Sequence, residues 1–207
     1  IEEKNNQFIV NERACEGCRL CSLVCPHEAL SFFPEDKSYW CKGTYRKGDI
    51  VYARLAPGEE NSGRLVTVVR EEAKKIAKEK KLSTIFLDGP PGIGCPVISS
   101  LTGTNKALIV TEPTKSGLHD LKRIVALCDN FKVKTYVVLN KYDLNKKLAK
   151  EIETWCESMQ IELIAKLPFD EKVLQAMLAC KSIIEFDEKC VISQKIKYIY
   201  QKIVKDE

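Results

Sequence analysis

Two hydrophobic patterns alternate through the last 120 or so residues of the chain. Short apolar runs without alternation suit strands buried on both faces of a parallel sheet. They fall at 84–87, 107–111, 134–139 and 162–167. Between them, apolar residues recur every three or four positions, the signature of one-sided helices. One helix opens at Thr114 or Ser116 and carries Leu118, Leu121, Ile124 and Val125. The next aligns Leu148, Ile152, Trp155 and Cys156. A short one begins at Asp170 with Val173, Leu174 and Met177, and the last aligns Ile192, Ile196, Ile199, Tyr200 and Ile203. Upstream, Asn61 or Ser62 caps a helix reaching about Lys80, with Val66, Val69, Ala73, Ile76 and Ala77 on one face. Residues 49–55 read as a strand and Phe8-Ile9-Val10 as a short one. Strands alternating with helices predict βαβ units with right-handed crossovers. The fold class is α/β, a parallel sheet with helices on both faces.

Residues 1–43 do not follow that pattern. They contain Cys15-x2-Cys18-x2-Cys21-x3-Cys25-Pro26. Thiolates are soft ligands for iron–sulfur clusters or zinc. Zinc sites more often pair two separated C-x2-C hooks, whereas this spacing is the run that holds a [4Fe–4S] cluster in bacterial ferredoxins. Gly17 relaxes the backbone between ligands, and after Pro26 a short helix is expected from His27, itself a surface residue. In two-cluster ferredoxins the fourth cysteine of each run serves the other cluster. No second run occurs here; Cys41 is the nearest other cysteine. Either the partner run lies upstream, which is the reading adopted, or Cys25 or Cys41 completes a single cluster.

Composition narrows the partners. Lysine and arginine number 33 against 29 acidic residues, and the lysines are scattered, so no nucleic-acid footprint appears. No apolar run is long enough for a membrane span, and no signal peptide opens the chain. Ten cysteines, four of them within eleven residues, point to metal binding in a reducing, cytoplasmic setting. Cys128, Cys156, Cys180 and Cys190 stand singly and read mostly as small buried hydrophobes.

Two loops carry candidate chemistry. The run 84–87 ends in Asp88-Gly89-Pro90-Pro91-Gly92-Ile93-Gly94. An acid at a strand's carboxyl end, before a glycine turn, suits Mg²⁺ and phosphate; the plain alternative is a solvated turn. The run 134–139 ends in Asn140-Lys141-Tyr142-Asp143. Asn-Lys-x-Asp there is the spelling of guanine-reading loops; the plain alternative is a polar turn.

With these pieces the chain resembles the MinD/ParA-type P-loop ATPases, in particular the MinD-superfamily members with an inserted ferredoxin domain. The resemblance rests on Leu87-Asp88-Gly89-Pro90-Pro91-Gly92-Ile93-Gly94-Cys95-Pro96, Val110-Thr111-Glu112-Pro113-Thr114, Gly117-Leu118-His119-Asp120-Leu121, Asn140-Lys141 and Leu167-Pro168-Phe169-Asp170. Pro57-Gly58-Glu59-Glu60-Asn61-Ser62-Gly63 then joins the two parts, a ferredoxin-type module at 1–43 and a nucleotide-binding α/β domain at 44–207. The resemblance implies that Asp88 is a catalytic residue, holding the Mg²⁺ water shell. It implies that Gly92 offers its backbone N–H to the γ-phosphate and Asn140 contacts the base. Lys141 and Asp143 belong to the same loop, and the loop from Pro168 to Asp170 closes over the base. In that family Asn-Lys reads adenine, so ATP is the implied nucleotide. A redox or iron–sulfur client and a homodimer through the nucleotide face are implied too.

The departure from the family is the P-loop. No Gly-x4-Gly-Lys-Ser/Thr run occurs. In the family it precedes the ferredoxin insert, with its strand and helix, and the insert itself carries two cysteine runs, of which the run here resembles the second. A chain opening Ile1-Glu2-Glu3, without a start methionine, reads as the carboxyl-terminal two-thirds of such an ATPase or as a degenerate relative. Three functions compete: an ATPase coupling nucleotide state to electron transfer or cluster chemistry, a non-catalytic iron–sulfur module on a degenerate scaffold, and a GTPase.

Overall fold

The computed structural model describes residues 1–5, 7–10, 15, 20–31, 38–46, 48–56 and 63–205. They form two units, Ile1–Gly89 and Pro90–Glu207. The expected boundary at 43/44 falls inside a strand of the first unit.

In the first unit β1 (Glu2–Lys4) and β2 (Gln7–Ile9) make a small antiparallel ribbon. The five-residue helix α1 (Leu20–Val24) lies within the thiol run and buries no side chain. The helix expected after Pro26 is absent: Pro26 and His27 form a turn, with Glu28 in the left-handed region at φ 48°. That backbone cannot open a right-handed helix. His27 is exposed, as expected.

The next two strands, β3 (Tyr39–Tyr45) and β4 (Gly48–Arg54), form an antiparallel hairpin in register from Tyr39↔Arg54 to Tyr45↔Gly48. The strand expected at 49–55 therefore exists, but in a hairpin and not in the parallel sheet. The helix α2 (Arg64–Glu79) starts at Gly63, whose φ of 81° favours glycine. The expected caps Asn61 and Ser62, and the linker from Pro57, lie outside the described residues. Lys80 reaches Asp49 of β4 at 2.6 Å.

Residues 84–87 are not a strand. They carry no regular structure, and Phe86 is 66% exposed. Their composition favours strand, but a strand exists only where its backbone is paired. Among the described residues no sheet includes them.

The second unit begins with α3 (Cys95–Leu101), which the hydrophobic pattern did not reveal; Pro96 sits in its first turn, a position proline favours. Then follow β5 (Lys106–Thr111), α4 (Lys115–Asn130), β6 (Lys134–Asn140), α5 (Lys146–Ser158) and β7 (Glu162–Leu167). The chain ends in α6 (Glu171–Leu178), α7 (Ile183–Phe186) and α8 (Val191–Lys205). The three strands form a parallel sheet in the order β5-β6-β7. Leu118, Leu121 and Val125 of α4, and Ala149, Ile152 and Cys156 of α5, pack on Val137 and Leu139. The opposite face of β6, Tyr136 and Val138, meets Ile199 and Ile203 of α8. Helices thus cover both faces of β6. The strand β5 differs from its expected double burial: Leu108 and Val110 are 40% and 58% exposed. In α6 the buried residue is Ala176, whereas Leu174 and Met177 are exposed. Cys128, Cys156 and Cys190 are buried and Cys180 is exposed.

Candidate functional site

The parallel sheet brings three loops to its carboxyl edge, all within the second unit. The first leaves β5. Thr114 caps α4 by accepting the Gly117 N–H at 2.9 Å, and Thr111 donates to the Gly117 carbonyl at 3.1 Å. A Cβ on Gly117 would lie 2.4 Å from the Glu112 carbonyl oxygen, so this tight turn requires glycine. Pro113 is buried and Glu112 half-buried at the turn.

The second loop leaves β6. Asn140, half-buried, is its last residue. Lys141 then turns the chain with φ 51°, unusual for a residue with a long side chain. Its ammonium pairs with Glu112 at 2.7 Å, joining the ends of β5 and β6. Asn145 caps α5 through the Leu148 N–H.

The third loop leaves β7 and is tied to the second. The Tyr142 N–H donates to the Leu167 carbonyl at 3.1 Å. The Phe169 N–H donates to Asp143 Oδ1 at 2.7 Å. Asp170 caps α6 by accepting the Lys172 N–H at 2.9 Å. Pro168 is half-buried. Beneath the loops, Lys166 donates to Glu153 at 2.9 Å and stands 5.4 Å from the Tyr142 ring centre. Hydrogen bonding from Lys166 holds the Glu153 carboxyl below its ordinary range.

The turn that carries Asn140, Lys141 and Asp143 is therefore joined to the segment that carries Pro168 and Asp170 through the Tyr142–Leu167 and Asp143–Phe169 hydrogen bonds, with Asn140 at the head of the turn. Glu112 and Phe169 lie within the motifs, but the contacts they make are not legible from the motifs themselves. The position of Glu112 at the end of a neighbouring parallel strand was the available signal. Asp88 is exposed and belongs to the first unit. Gly92, in the second, has φ 91° and open space where a side chain would begin.

The thiol run lies in the first unit. Cys15 and Cys21 are exposed and Cys25 is half-buried; Cys18 lies outside the described residues. The helix α1 sets Cys21 one turn from Cys25. The Ala29 N–H points at Cys25 Sγ at 3.4 Å. That contact, with the backbone amides of His27, Glu28 and Leu30, lowers the Cys25 pKa and favours its thiolate. A soft donor set with amides directed at sulfur fits a cluster ligand. Among the described residues no three metal-binding side chains are grouped, and the run's second thiol is not one of them.

Comparison with known proteins accounts for both regions. Residues 63–204 match the ParA family, described as NUBPL iron-transfer P-loop NTPases. Residues 8–31 match the 4Fe-4S binding domain. The uncharacterized protein MJ0578 of Methanocaldococcus jannaschii is 30% identical over 196 residues, 95% of this chain and 65% of that protein. The uncharacterized ferredoxin MJ0265 of the same organism is 46% identical over 41 residues, 20% of this chain and 24% of its own. The structure of the cell-division ATPase MinD of Pyrococcus furiosus superposes with a TM-score of 0.56 at 20% identity, covering 70% of this chain and 59% of MinD, which shows a shared fold. The chain spans 61–65% of the length of the curated relatives that it matches over most of its own. Among the described residues no helix is long and apolar enough to cross a membrane. A soft-ligand run matching the 4Fe-4S domain and a parallel sheet with loops gathered at its carboxyl edge thus occur in one chain, which belongs to the ParA/MinD-type P-loop NTPases, NUBPL-like in its NTPase domain and 4Fe-4S-binding at its amino-terminal side.

Proposed function

We propose that the chain is the iron–sulfur and base-binding part of an ATPase in which nucleotide state is coupled to electron transfer or to hand-off of a cluster. The observation that carries the reading is the interlocked turn from Asn140 to Asp143, fixed to the segment 167–170 and to Glu112, in a chain that also holds a 4Fe-4S binding domain. On this reading residues 1–43 are the cluster module and 44–207 the nucleotide-binding domain. Cys15, Cys18, Cys21 and Cys25 hold the cluster, which supplies one-electron chemistry when resident or is the cargo when transferred. Asn140 meets adenine, with Lys141, Asp143, Pro168 and Asp170 shaping the loops around it. Asp88 holds the water shell of Mg²⁺ and acts in catalysis, and Gly92 offers its N–H to the γ-phosphate. Phosphoryl transfer depends on positioning and charge stabilisation. A P-loop supplies much of both, and this sequence contains none. Residues 1–207 by themselves are therefore expected not to hydrolyse ATP. Phosphate release that disappears in Asp88→Ala would reveal a cradle elsewhere. A client protein, a homodimer through the nucleotide face and a cytoplasmic location belong to the same proposal.

The test has two arms. Anaerobic iron and sulfide analysis with EPR on the reduced protein measures the cluster; stoichiometric zinc without sulfide overturns that half. Cluster reduction or transfer, timed with ATP, ADP and no nucleotide, measures coupling. Equal rates would leave the non-catalytic module as the better reading, and a preference for GTP would move the protein to the GTPases.

A further inference from the structure

We propose that Asp143 is a positioning residue: it fastens the segment 167–170 against the end of β6 and does not read the base. The inference rests on the adenine-binding reading above and assigns one of its residues a different task. Two hydrogen bonds join the β6 turn to that segment, Tyr142 N–H to Leu167 O at 3.1 Å and Phe169 N–H to Asp143 Oδ1 at 2.7 Å. The first lies at the end of the strand. The second holds the part that has left it, and its carboxylate acceptor makes it a charge-assisted bond.

Nothing local replaces that bond. Pro168 has no N–H to offer. The Asp170 side chain is turned the other way, onto the Lys172 N–H at the start of α6. Phe169 is half-exposed, so burial does little to fix it. Leu167 is held by the strand-end bond and Asp170 by α6, so between them the position of Phe169 against the β6 turn depends on Asp143.

The chemistry of the bases agrees. A carboxylate that reads guanine directs both oxygens at two parallel N–H donors. Here Oδ1 is directed at the backbone. Adenine presents an acceptor at N1, which a carboxylate would repel. The amide of Asn140 carries one donor and one acceptor, and that pair matches adenine N6 and N7. Glu112 helps from the β5 side by pairing with Lys141 at 2.7 Å. Both groups of that pair are partly exposed, so the pair adds only a little to the fastening.

The experiment is competition of ATP and GTP against a fluorescent adenine nucleotide, on the protein that contains this chain, with wild type, D143A and D143N. Amide exchange at Phe169 is followed in each. The expected results are a loss of ATP affinity of about tenfold in D143A and faster exchange at Phe169. D143N, whose amide oxygen can still accept the Phe169 N–H, stays within about threefold of wild type. If D143A does not fold, D143N decides alone. A base-reading carboxylate would lose nucleotide on becoming an amide, whereas a fastening one keeps it. Equal loss in D143N and D143A, or unchanged binding in D143A, overturns the proposal while the adenine reading stands. Wild type that binds no adenine nucleotide removes the reading and the proposal together.

Discussion

Residues 1–89 and 90–207 keep their order by different means. Among the described residues, every cluster of buried apolar residues lies in the second unit, from Val97 onward. In the first, the buried side chains among the described residues are Arg70 and Ala77, both on α2. Phe8, Leu23 and Val24 are exposed, and α1 is five residues long with none buried. A single turn of helix does not persist in water by itself. The order of the thiol module is therefore expected to come from ligation, which in small metal modules is the folding free energy. The second unit needs no such bond. A module held by its metal is built or lost with the metal, whereas a packed sheet tolerates its removal.

Four experiments sharpen or break that contrast. The largest effect is expected from anaerobic removal of the cluster, or from Cys18→Ser. Amide protection at 20–24 should fall about 100-fold or more while β6 is unchanged. Equal loss in β6 would mean that the two units share one source of stability. Cys128→Ser should leave iron content intact, because that thiol is buried among Val97, Leu101 and Val133.

Next is Leu121→Ala. Leu121 is 1% exposed, and its truncation should cost about 2–5 kcal/mol in urea unfolding without loss of iron. Gly117→Ala should cost about 1–3 kcal/mol, since the new Cβ would meet the Glu112 carbonyl at 2.4 Å.

The smallest effect is a pH dependence. Burial pushes the Cys156 thiol up to about 11. The native state therefore holds its proton where the unfolded chain has released it. The associated stability is complete below the ordinary thiol pKa and is lost as pH rises through about 11. Melting followed from pH 8 to 11 should show this decline, and Cys156→Ala should flatten it.

How much could be read beforehand differed by element. The thiol run was legible because its chemistry lies in spacing along the chain. So was β6, whose four consecutive buried residues, 136–139, mark a central strand. The run 84–87 looked similar and is not a strand, because composition reports strand preference and not the partner that a strand requires. The β3–β4 hairpin is only half legible: residues 49–55 read as a strand, whereas the strand residues Tyr39-Trp40-Cys41 stand apart from any apolar run of comparable length. At the candidate site, Asn140 to Asp143 and Pro168 to Asp170 were found as motifs. The bond from Phe169 to Asp143 crosses 26 residues, and the φ of 51° belongs to a lysine; neither leaves a trace in the order of residues.

The register of the parallel sheet has a kinetic consequence. Its two closures are nearly equal in length: Lys106 pairs with Lys134 across α4, and Tyr136 with Glu162 across α5. The chain entropy lost in forming the two loops differs by less than about 0.1 kcal/mol. Topology therefore does not choose which half forms first, and β6, common to both, takes part in either route. The choice falls to the side chains each helix brings to Val137 and Leu139. Leu121→Ala in α4 and Ile152→Ala in α5 weaken the two routes separately, and refolding rates of the two variants report how the traffic divides between them.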